Sequence, residues 1–135
     1  MKKEIKVVGA IIVKDSKILC CQRGPGRALA HLFEFPGGKI EKNETKVDAL
    51  AREIREELQV EVDITEEEYE VCRYDYDFGL VDLTTFVCHL KSGEPHLTEH
   101  VSAQWLSPQE LDTLDWAPAD IPTVEKLKHQ GLEGY

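Results

Sequence analysis

The feature that most constrains the fold is a nearly continuous apolar run at residues 4–13. The strict alternation of polar and apolar side chains that marks a half-exposed strand is missing from it. The run therefore predicts a strand that is buried on both faces. Its apolar members are β-branched or small: Ile5, Val7, Val8, Ala10, Ile11, Ile12 and Val13.

The rest of the chain predicts a mixture of strands and helices. Residues 18–23 predict a second strand, and residues 33–38 predict a short extended piece that ends in a tight glycine turn. A polar loop is expected at residues 91–102, a short helix opening at residues 107–110, and a last helix after Pro118. No internal repeat or interdomain linker interrupts this order, so we expect one α+β domain over residues 1–135. Further strands are predicted at residues 60–63, 68–76, 80–90 and 103–106.

Residues 45–58 predict an amphipathic helix. Thr45 is expected to be its N-cap residue, with Asp48 reaching back to complete a capping box. Apolar residues recur at the spacing of one helical face. They are Val47, Leu50, Ala51, Ile54 and Leu58.

Composition and charge exclude several function classes. A formal net charge of −10 disfavours nucleic-acid binding. No apolar run approaches the ~18 residues needed to cross a bilayer, and the basic N-terminal residues do not form a signal peptide. We therefore expect a cytoplasmic protein, without a membrane partner, that is a monomer or homodimer.

Free thiols are expected at all four cysteines, because their spacing fits neither a metal site nor a secreted disulfide framework. They are Cys20, Cys21, Cys72 and Cys88.

Three glutamates lie on the side of the predicted helix at residues 45–58 that faces away from its apolar stripe. Glu53, Glu56 and Glu57 are neighbours at helical spacing, so without a cation they repel one another. They also lie near the negative end of the helix dipole. Mg²⁺, which prefers carboxylate oxygens, water and substrate phosphates, would reverse this penalty. The alternative is a solvated acidic face that Arg52 and Arg55 neutralise.

The glycine turn and the spacing around these glutamates resemble the Nudix box. In that motif, G-x5-E-x7-R-E-U-x-E-E-x-G-U, U is an aliphatic residue. One fixed position departs, because Gln59 stands where the motif has a glycine that ends the helix. If that turn is left-handed, the departure costs about 1 kcal/mol, but it removes no ligand. The matching positions are Gly38, Glu44, Arg52, Glu53, Ile54, Glu56, Glu57 and Val60.

The resemblance implies the Nudix fold, in which a mixed β-sheet lies between helices in an α/β/α arrangement. It also implies that Mg²⁺, or Mn²⁺, binds to Glu53 and Glu57, with Glu56 sharing a second ion and the Gly38 region offering a backbone carbonyl. Arg52 would orient a box carboxylate by a charge-assisted hydrogen bond. Glu44 would not bind the metal itself but would lie next to the residues that do. The catalytic base is left open among Glu44, Glu53, Glu56 and Glu99.

Outside the box, the chain is similar to the MutT type of Nudix hydrolase, including the CTP pyrophosphohydrolase type. The segments that carry this similarity are residues 22–23, 34–39, 99–105 and 117–122. It implies an extra carboxylate at Glu99 that binds metal or assists deprotonation, and substrate contacts at Arg23 and Lys39. The alternative for both Glu99 and Arg23 is an ordinary surface charge, which a lone arginine at a strand end more often is, but the similarity favours the functional roles.

Asp120 occupies the place where MutT has an asparagine that reads the base. Its structural alternative is the N-cap of the last helix. An aspartate accepts hydrogen bonds from an exocyclic amine such as cytosine N4, and a protonated one also donates. Phe35, Phe78 and Trp116 offer stacking surface for a base, although each also fits a packing role.

The resulting hypothesis is a nucleoside triphosphate pyrophosphohydrolase that releases a nucleoside monophosphate and pyrophosphate. Its substrates would be damaged or modified nucleotides such as 8-oxo-dGTP or 5-substituted dCTP. The alternatives are a Nudix hydrolase of ADP-ribose, nucleotide sugars or dinucleoside polyphosphates, and a non-catalytic nucleotide sensor. The five histidines show no zinc-site spacing.

Overall fold

The structure, a computed structural model, describes residues 3–135. It contains two 3-10 helices, at Pro108–Thr113 and Pro118–Asp120. The two α-helices are α1 (Lys46–Leu58) and α2 (Ile121–Gln130). The strands are β1 (Glu4–Lys14), β2 (Lys17–Arg23), β3 (Phe33–Glu34), β4 (Gly37–Lys39), β5 (Glu61–Ile64), β6 (Glu70–Tyr76), β7 (Gly79–Ser92) and β8 (His100–Leu106).

Within these residues the strands form one eight-stranded mixed sheet centred on β1 and β7. These two strands run parallel over ten paired positions, from Glu4 opposite Leu80 to Val13 opposite His89. The path β3-β2-β1-β7-β5 is extended by β4 beside β1, β6 beside β7 and β8 beside β2. The other pairings between these strands are antiparallel.

The sheet separates two apolar layers, as the predicted burial of β1 on both faces requires. Ala10 and Ile12 point towards α1, whereas Ile11 points towards α2, and all three are fully buried. The α1 layer includes Leu50 and Ile54 from the predicted apolar stripe. The predicted α+β class and the α/β/α arrangement are thus confirmed.

Several strands differ in length from those predicted, because pairing continues past the apolar residues. β8 begins at His100 and not at residue 103, since its ladder with β2 continues to the pair Arg23 and His100. β7 reaches Ser92, which shortens the predicted loop at residues 91–102 to residues 93–99. No helix in the described part of the chain is long and apolar enough to cross a membrane. All four cysteines are free.

Both ends of α1 follow the sequence closely. The Asp48 N–H donates to Thr45 Oγ1 at 3.1 Å, which is the forward half of the predicted capping box. At the other end, Gln59 adopts the left-handed conformation, with φ 58° and ψ 38°. A residue with a Cβ is strained there, whereas glycine is not.

Replacing Gln59 by glycine is expected to stabilise the protein by about 1 kcal/mol, because it removes this left-handed strain. Urea unfolding followed by circular dichroism measures the change. Gln59→Ala is the matched control: alanine retains the Cβ, so it should gain nothing. Equal stability of the glycine and alanine variants would contradict the assignment of strain to this position.

Candidate active site

The site begins where α1 lies directly against the glycine strand β4. The Gly37 N–H donates to Glu57 Oε2 at 3.2 Å, so the backbone of β4 fixes this carboxyl group. A Cβ on Gly38 would lie 2.1 Å from Glu53 Oε2, and one on Gly37 would lie 1.9 Å from the Val8 carbonyl oxygen. Glycine is therefore required at position 37, where a Cβ would overlap the backbone of β1, whereas a Cβ at position 38 would displace the Glu53 carboxylate.

Arg52 organises the acidic side of α1. Its Nε and one Nη donate to the two oxygens of Glu44 at 2.7 and 2.9 Å, forming a bidentate ion pair. The other Nη donates to Glu53 at 2.6 Å and to Glu56 at 3.3 Å, and the Lys39 carbonyl accepts a further bond at 3.1 Å. Hydrogen bonding from Arg52 lowers the pKa of Glu44 to about 2. Arg52 thus fixes the orientation of Glu53 and keeps Glu44 ionised.

Glu57 is the buried acid of this site, with only 6% of the residue exposed. Burial, a side-chain hydrogen bond with Glu99 and the charge of Glu53 together raise the pKa of Glu57 to about 9. Burial also raises the pKa of Glu53, although Arg52 opposes it. Since acidic groups with raised pKa values share one site, a divalent cation would stabilise their ionised forms.

The carboxylates of this site fit Mg²⁺ better than they fit an ion whose ligands all come from the protein. In the part of the chain that the structure describes, no three acidic, histidine or cysteine side chains surround a common point tightly enough to hold an ion. Mg²⁺ does not require such a cage, because it keeps several waters and binds through one or two carboxylates together with substrate phosphates. Glu53 and Glu57 offer two such carboxylates beside an open cleft.

These carboxylates line one part of a cleft with a volume of about 770 Å³. This size lies within the range of small-molecule sites. Glu44, Arg52, Glu56 and Trp116 are outside its lining, the first three forming the ion-pair network behind Glu53. The predicted site residues that the cleft brings together are Arg23, Phe35, Gly38, Lys39, Glu53, Glu57, Phe78, Glu99 and Asp120.

Another part of the cleft is apolar and aromatic. Phe78 is 47% exposed and stacks on Tyr76, with the ring centroids 4.9 Å apart. The Ala119 N–H donates to the Tyr76 hydroxyl oxygen at 2.8 Å, which fixes the ring. Leu29 and Leu83 add aliphatic surface to the same lining. This wall offers a flat apolar surface of the kind on which an aromatic base stacks.

Asp120 lies in the cleft with a partner that the sequence did not suggest. The Phe35 N–H donates to Asp120 Oδ1 at 3.1 Å, and the side chain forms no capping bond with α2. Burial, with a further contribution from the charge of Glu34, raises the pKa of Asp120 well above its usual value. Burial therefore favours the neutral form of this carboxyl group, which can both donate and accept hydrogen bonds.

Arg23, Glu34 and His100 form a connected group beside Asp120. Arg23 donates to Glu34 Oε1 at 2.7 Å and to the Ala28 carbonyl at 2.8 Å. His100 Nε2 lies 2.8 Å from Glu34 Oε2. Burial alone raises the pKa of Glu34, but the bonds from His100 and Arg23 outweigh it and hold the pKa below its usual value. In this wall of the cleft, hydrogen bonds therefore favour the ionised form of Glu34, whereas burial favours the neutral form of Asp120.

Trp116 belongs to the packed core on the α2 side. It is 7% exposed, its ring centroid lies 4.8 Å from that of Phe35, and its Nε1–H donates to the Leu111 carbonyl at 2.7 Å. Phe35 is also buried, yet it reaches the cleft lining. Of the two rings, only Phe35 is placed to contact a ligand in the cleft.

Three residues of the site were missed from the sequence. Glu34 carried a signal, because period-two alternation places it on the opposite face from Phe33 and Phe35. His100 carried none, since its place depends on the pairing of β2 with β8. Nothing local distinguishes Tyr76 from the other tyrosines of the chain.

Comparison with known proteins gives concordant matches. The family profile for the NUDIX domain matches residues 3–127. The CTP pyrophosphohydrolase of Escherichia coli is 39% identical over 125 residues, covering 91% of this chain and 90% of that protein. The 8-oxo-dGTP diphosphatase of the same organism is 34% identical over 131 residues, covering 95% and 98%. The solution structure of a MutT protein from methicillin-resistant Staphylococcus aureus 252 is 54% identical, covering 97% and 100%, with a TM-score of 0.79.

The raised pKa of Glu57 predicts a pH-dependent stability. The folded protein retains this proton up to about pH 9, whereas the unfolded chain releases it near the ordinary value of 4.5. Because the folded state binds more protons between these values, the free energy of unfolding without metal should fall as the pH rises. Urea unfolding from pH 5 to 9 in EDTA measures the slope. Glu57→Gln should make the slope smaller, and identical slopes for the two proteins would contradict the assignment.

Proposed function

Because this chain belongs to the Nudix hydrolase family, in its MutT and CTP pyrophosphohydrolase type, we propose that it is a Mg²⁺-dependent nucleoside triphosphate pyrophosphohydrolase. Water attacks phosphorus, and the products are a nucleoside monophosphate and pyrophosphate. The observation that carries the proposal is one cleft that joins the Glu53 and Glu57 carboxylates to an aromatic wall. The names of the two Escherichia coli relatives, a CTP pyrophosphohydrolase and an 8-oxo-dGTP diphosphatase, support it. A cytoplasmic location is part of the proposal, and the free cysteines support it.

The metal would be held by Glu53 and Glu57, with Glu99 and the Gly38 carbonyl as further ligands and Glu56 sharing a second ion. Such an ion neutralises phosphate charge and lowers the pKa of the attacking water, and Mn²⁺ is a chemically reasonable substitute. The Gly37 bond to Glu57 and the Arg52 bond to Glu53 orient both carboxylates before any ion binds. That preorientation is how ligand side chains are tuned for a metal.

The residues around the carboxylates divide into groups that contact substrate and groups that position others. Arg52 and Glu44 are positioning residues, because both oxygens of Glu44 are already bonded to Arg52. With a pKa of about 2, Glu44 is also a weak proton acceptor. The general base is therefore sought among Glu53, Glu56 and Glu99. Lys39 lines the cleft near these acids, where its cation complements a phosphate.

The base would lie against the aromatic wall, where Phe78 and Phe35 line the cleft. A neutral Asp120 presents a donor and an acceptor together. That pair matches the N4–H and N3 edge of cytosine, and it also matches the N7–H and O6 edge of 8-oxoguanine. Arg23 has bonds from Nε and one Nη to protein, which leaves its remaining Nη for the substrate. Modified dCTP and 8-oxo-dGTP are therefore the proposed substrate candidates.

A substrate panel with Mg²⁺, in which the products of each reaction are separated and quantified by ion-exchange chromatography, tests the proposal. The panel contains CTP, dCTP, 5-methyl-dCTP, dGTP, 8-oxo-dGTP, ADP-ribose and diadenosine tetraphosphate. We expect a nucleoside triphosphate to have the highest kcat/KM and EDTA to abolish turnover. Glu53→Gln and Glu57→Gln should each lower kcat at least ~100-fold, because a ligand matters more than the outer partners of a metal site. Their circular dichroism spectra should match the wild type.

Glu67→Gln is the matched control, since Glu67 is an exposed glutamate outside the cleft lining. Its activity should equal that of the wild type. Turnover of only ADP-ribose or the dinucleotide would contradict the triphosphate assignment. Tight nucleotide binding without any turnover would indicate a sensor in place of an enzyme.

A further inference from the structure

The loop at residues 93–99, which joins β7 to β8, is bonded directly to the C-terminal end of α1. The His96 N–H donates to the Leu58 carbonyl at 2.8 Å. The Thr98 hydroxyl donates to the Glu57 carbonyl at 2.6 Å. The last carbonyls of a helix have no partner within it, so these two bonds satisfy groups that would otherwise need water. The loop therefore acts as the C-terminal cap of the helix that carries the box glutamates.

The Thr98 bond differs from the His96 bond because a side chain makes it. This bond depends on the Thr98 hydroxyl group, and a substitution can remove it without altering the backbone bond of His96. Thr98 is an exposed residue, and it lies outside the cleft lining. Contact with the substrate is therefore not its role.

The Thr98 bond lies next to both Glu57 and Glu99. Thr98 is bonded to the backbone of Glu57, and the next residue, Glu99, brings its carboxyl group to that of Glu57. On the far side, Arg27 donates to the Glu99 carbonyl at 3.2 Å. The backbone of Glu99 is thus held between the end of α1 and the loop that follows β2.

We propose that Thr98 is a positioning residue: its hydroxyl bond to the Glu57 carbonyl holds the Glu99 carboxylate against Glu57, where both contact the divalent cation. The inference rests on the proposed function, because it assumes that Glu99 binds the cation. Without the hydroxyl, Glu99 remains attached through Arg27 and His96, but its distance from Glu57 is no longer fixed. The effect of Thr98 on the cation must then pass through Glu99.

A double-mutant cycle with Glu99→Gln tests this dependence. Thr98→Val and Thr98→Ala remove the hydroxyl, and Thr98→Ser is the matched control that retains it. Each substitution is made in the wild type and in the Glu99→Gln background. The readouts are Mn²⁺ affinity without substrate, measured from the electron paramagnetic resonance signal of free Mn²⁺, together with kcat/KM and Tm.

In the wild type, Thr98→Val and Thr98→Ala should weaken Mn²⁺ binding and lower kcat/KM by about tenfold, at the lower end of what outer partners of metal ligands contribute. Thr98→Ser should remain within twofold of the wild type. In the Glu99→Gln background, loss of the hydroxyl should change Mn²⁺ affinity and kcat/KM less than twofold, whatever its effect on Tm.

Three results would overturn the inference. An equal loss in both backgrounds would make Thr98 a helix cap without any action through Glu99. Unchanged Mn²⁺ affinity in Thr98→Val and Thr98→Ala would remove the coupling altogether. If Glu99→Gln itself leaves Mn²⁺ affinity and turnover unchanged, the proposed role of Glu99 fails and the inference fails with it. In the first two cases Glu99→Gln by itself still lowers Mn²⁺ affinity and kcat/KM, so the proposed function stands.

Discussion

The close approach of α1 to β4 is the contact on which the rest of the site depends. Two glycines permit it: the Gly37 N–H meets the Glu57 carboxyl, and Gly38 leaves space where a Cβ would lie 2.1 Å from Glu53. Because α1 lies this close to β4, the Glu53 and Glu57 carboxyl groups of the helix line the cleft. The sheet register that places Gly37 and Gly38 opposite Gly9 and Val8 thus also sets where the acids lie.

This approach is unfavourable for the acids and is offset elsewhere in the fold. Burial raises the pKa of Glu57 and of Glu53, so the folded chain resists their ionisation. On the opposite side of α1, Leu50, Ile54 and Leu58 are fully buried. Burial of an aliphatic side chain of this size contributes about 1.5–3 kcal/mol. The apolar stripe therefore holds the helix against the sheet whatever the protonation state of its acidic side.

The sequence was sufficient where spacing within one element determines the outcome. The cap at Thr45 and the apolar stripe of α1 both follow from residues close in the chain. The sequence was insufficient where partners come from distant strands. The bond between His100 and Glu34 joins residues 66 positions apart, and that between Phe35 and Asp120 joins residues 85 apart. No local pattern specifies such pairings.

The site is therefore a cleft that combines local and distant parts of the chain. The box acids of α1 line one part, and strands and loops that are far apart in the sequence form the aromatic wall of another. A crystal structure with Mn²⁺ and a triphosphate analogue that cannot be cleaved between its α and β phosphates tests this account most directly. Anomalous scattering should place Mn²⁺ in contact with Glu53, Glu57 and the phosphates, with the base beside Phe78 and Asp120. Mn²⁺ bound away from both glutamates, or a nucleotide outside the cleft, would contradict it.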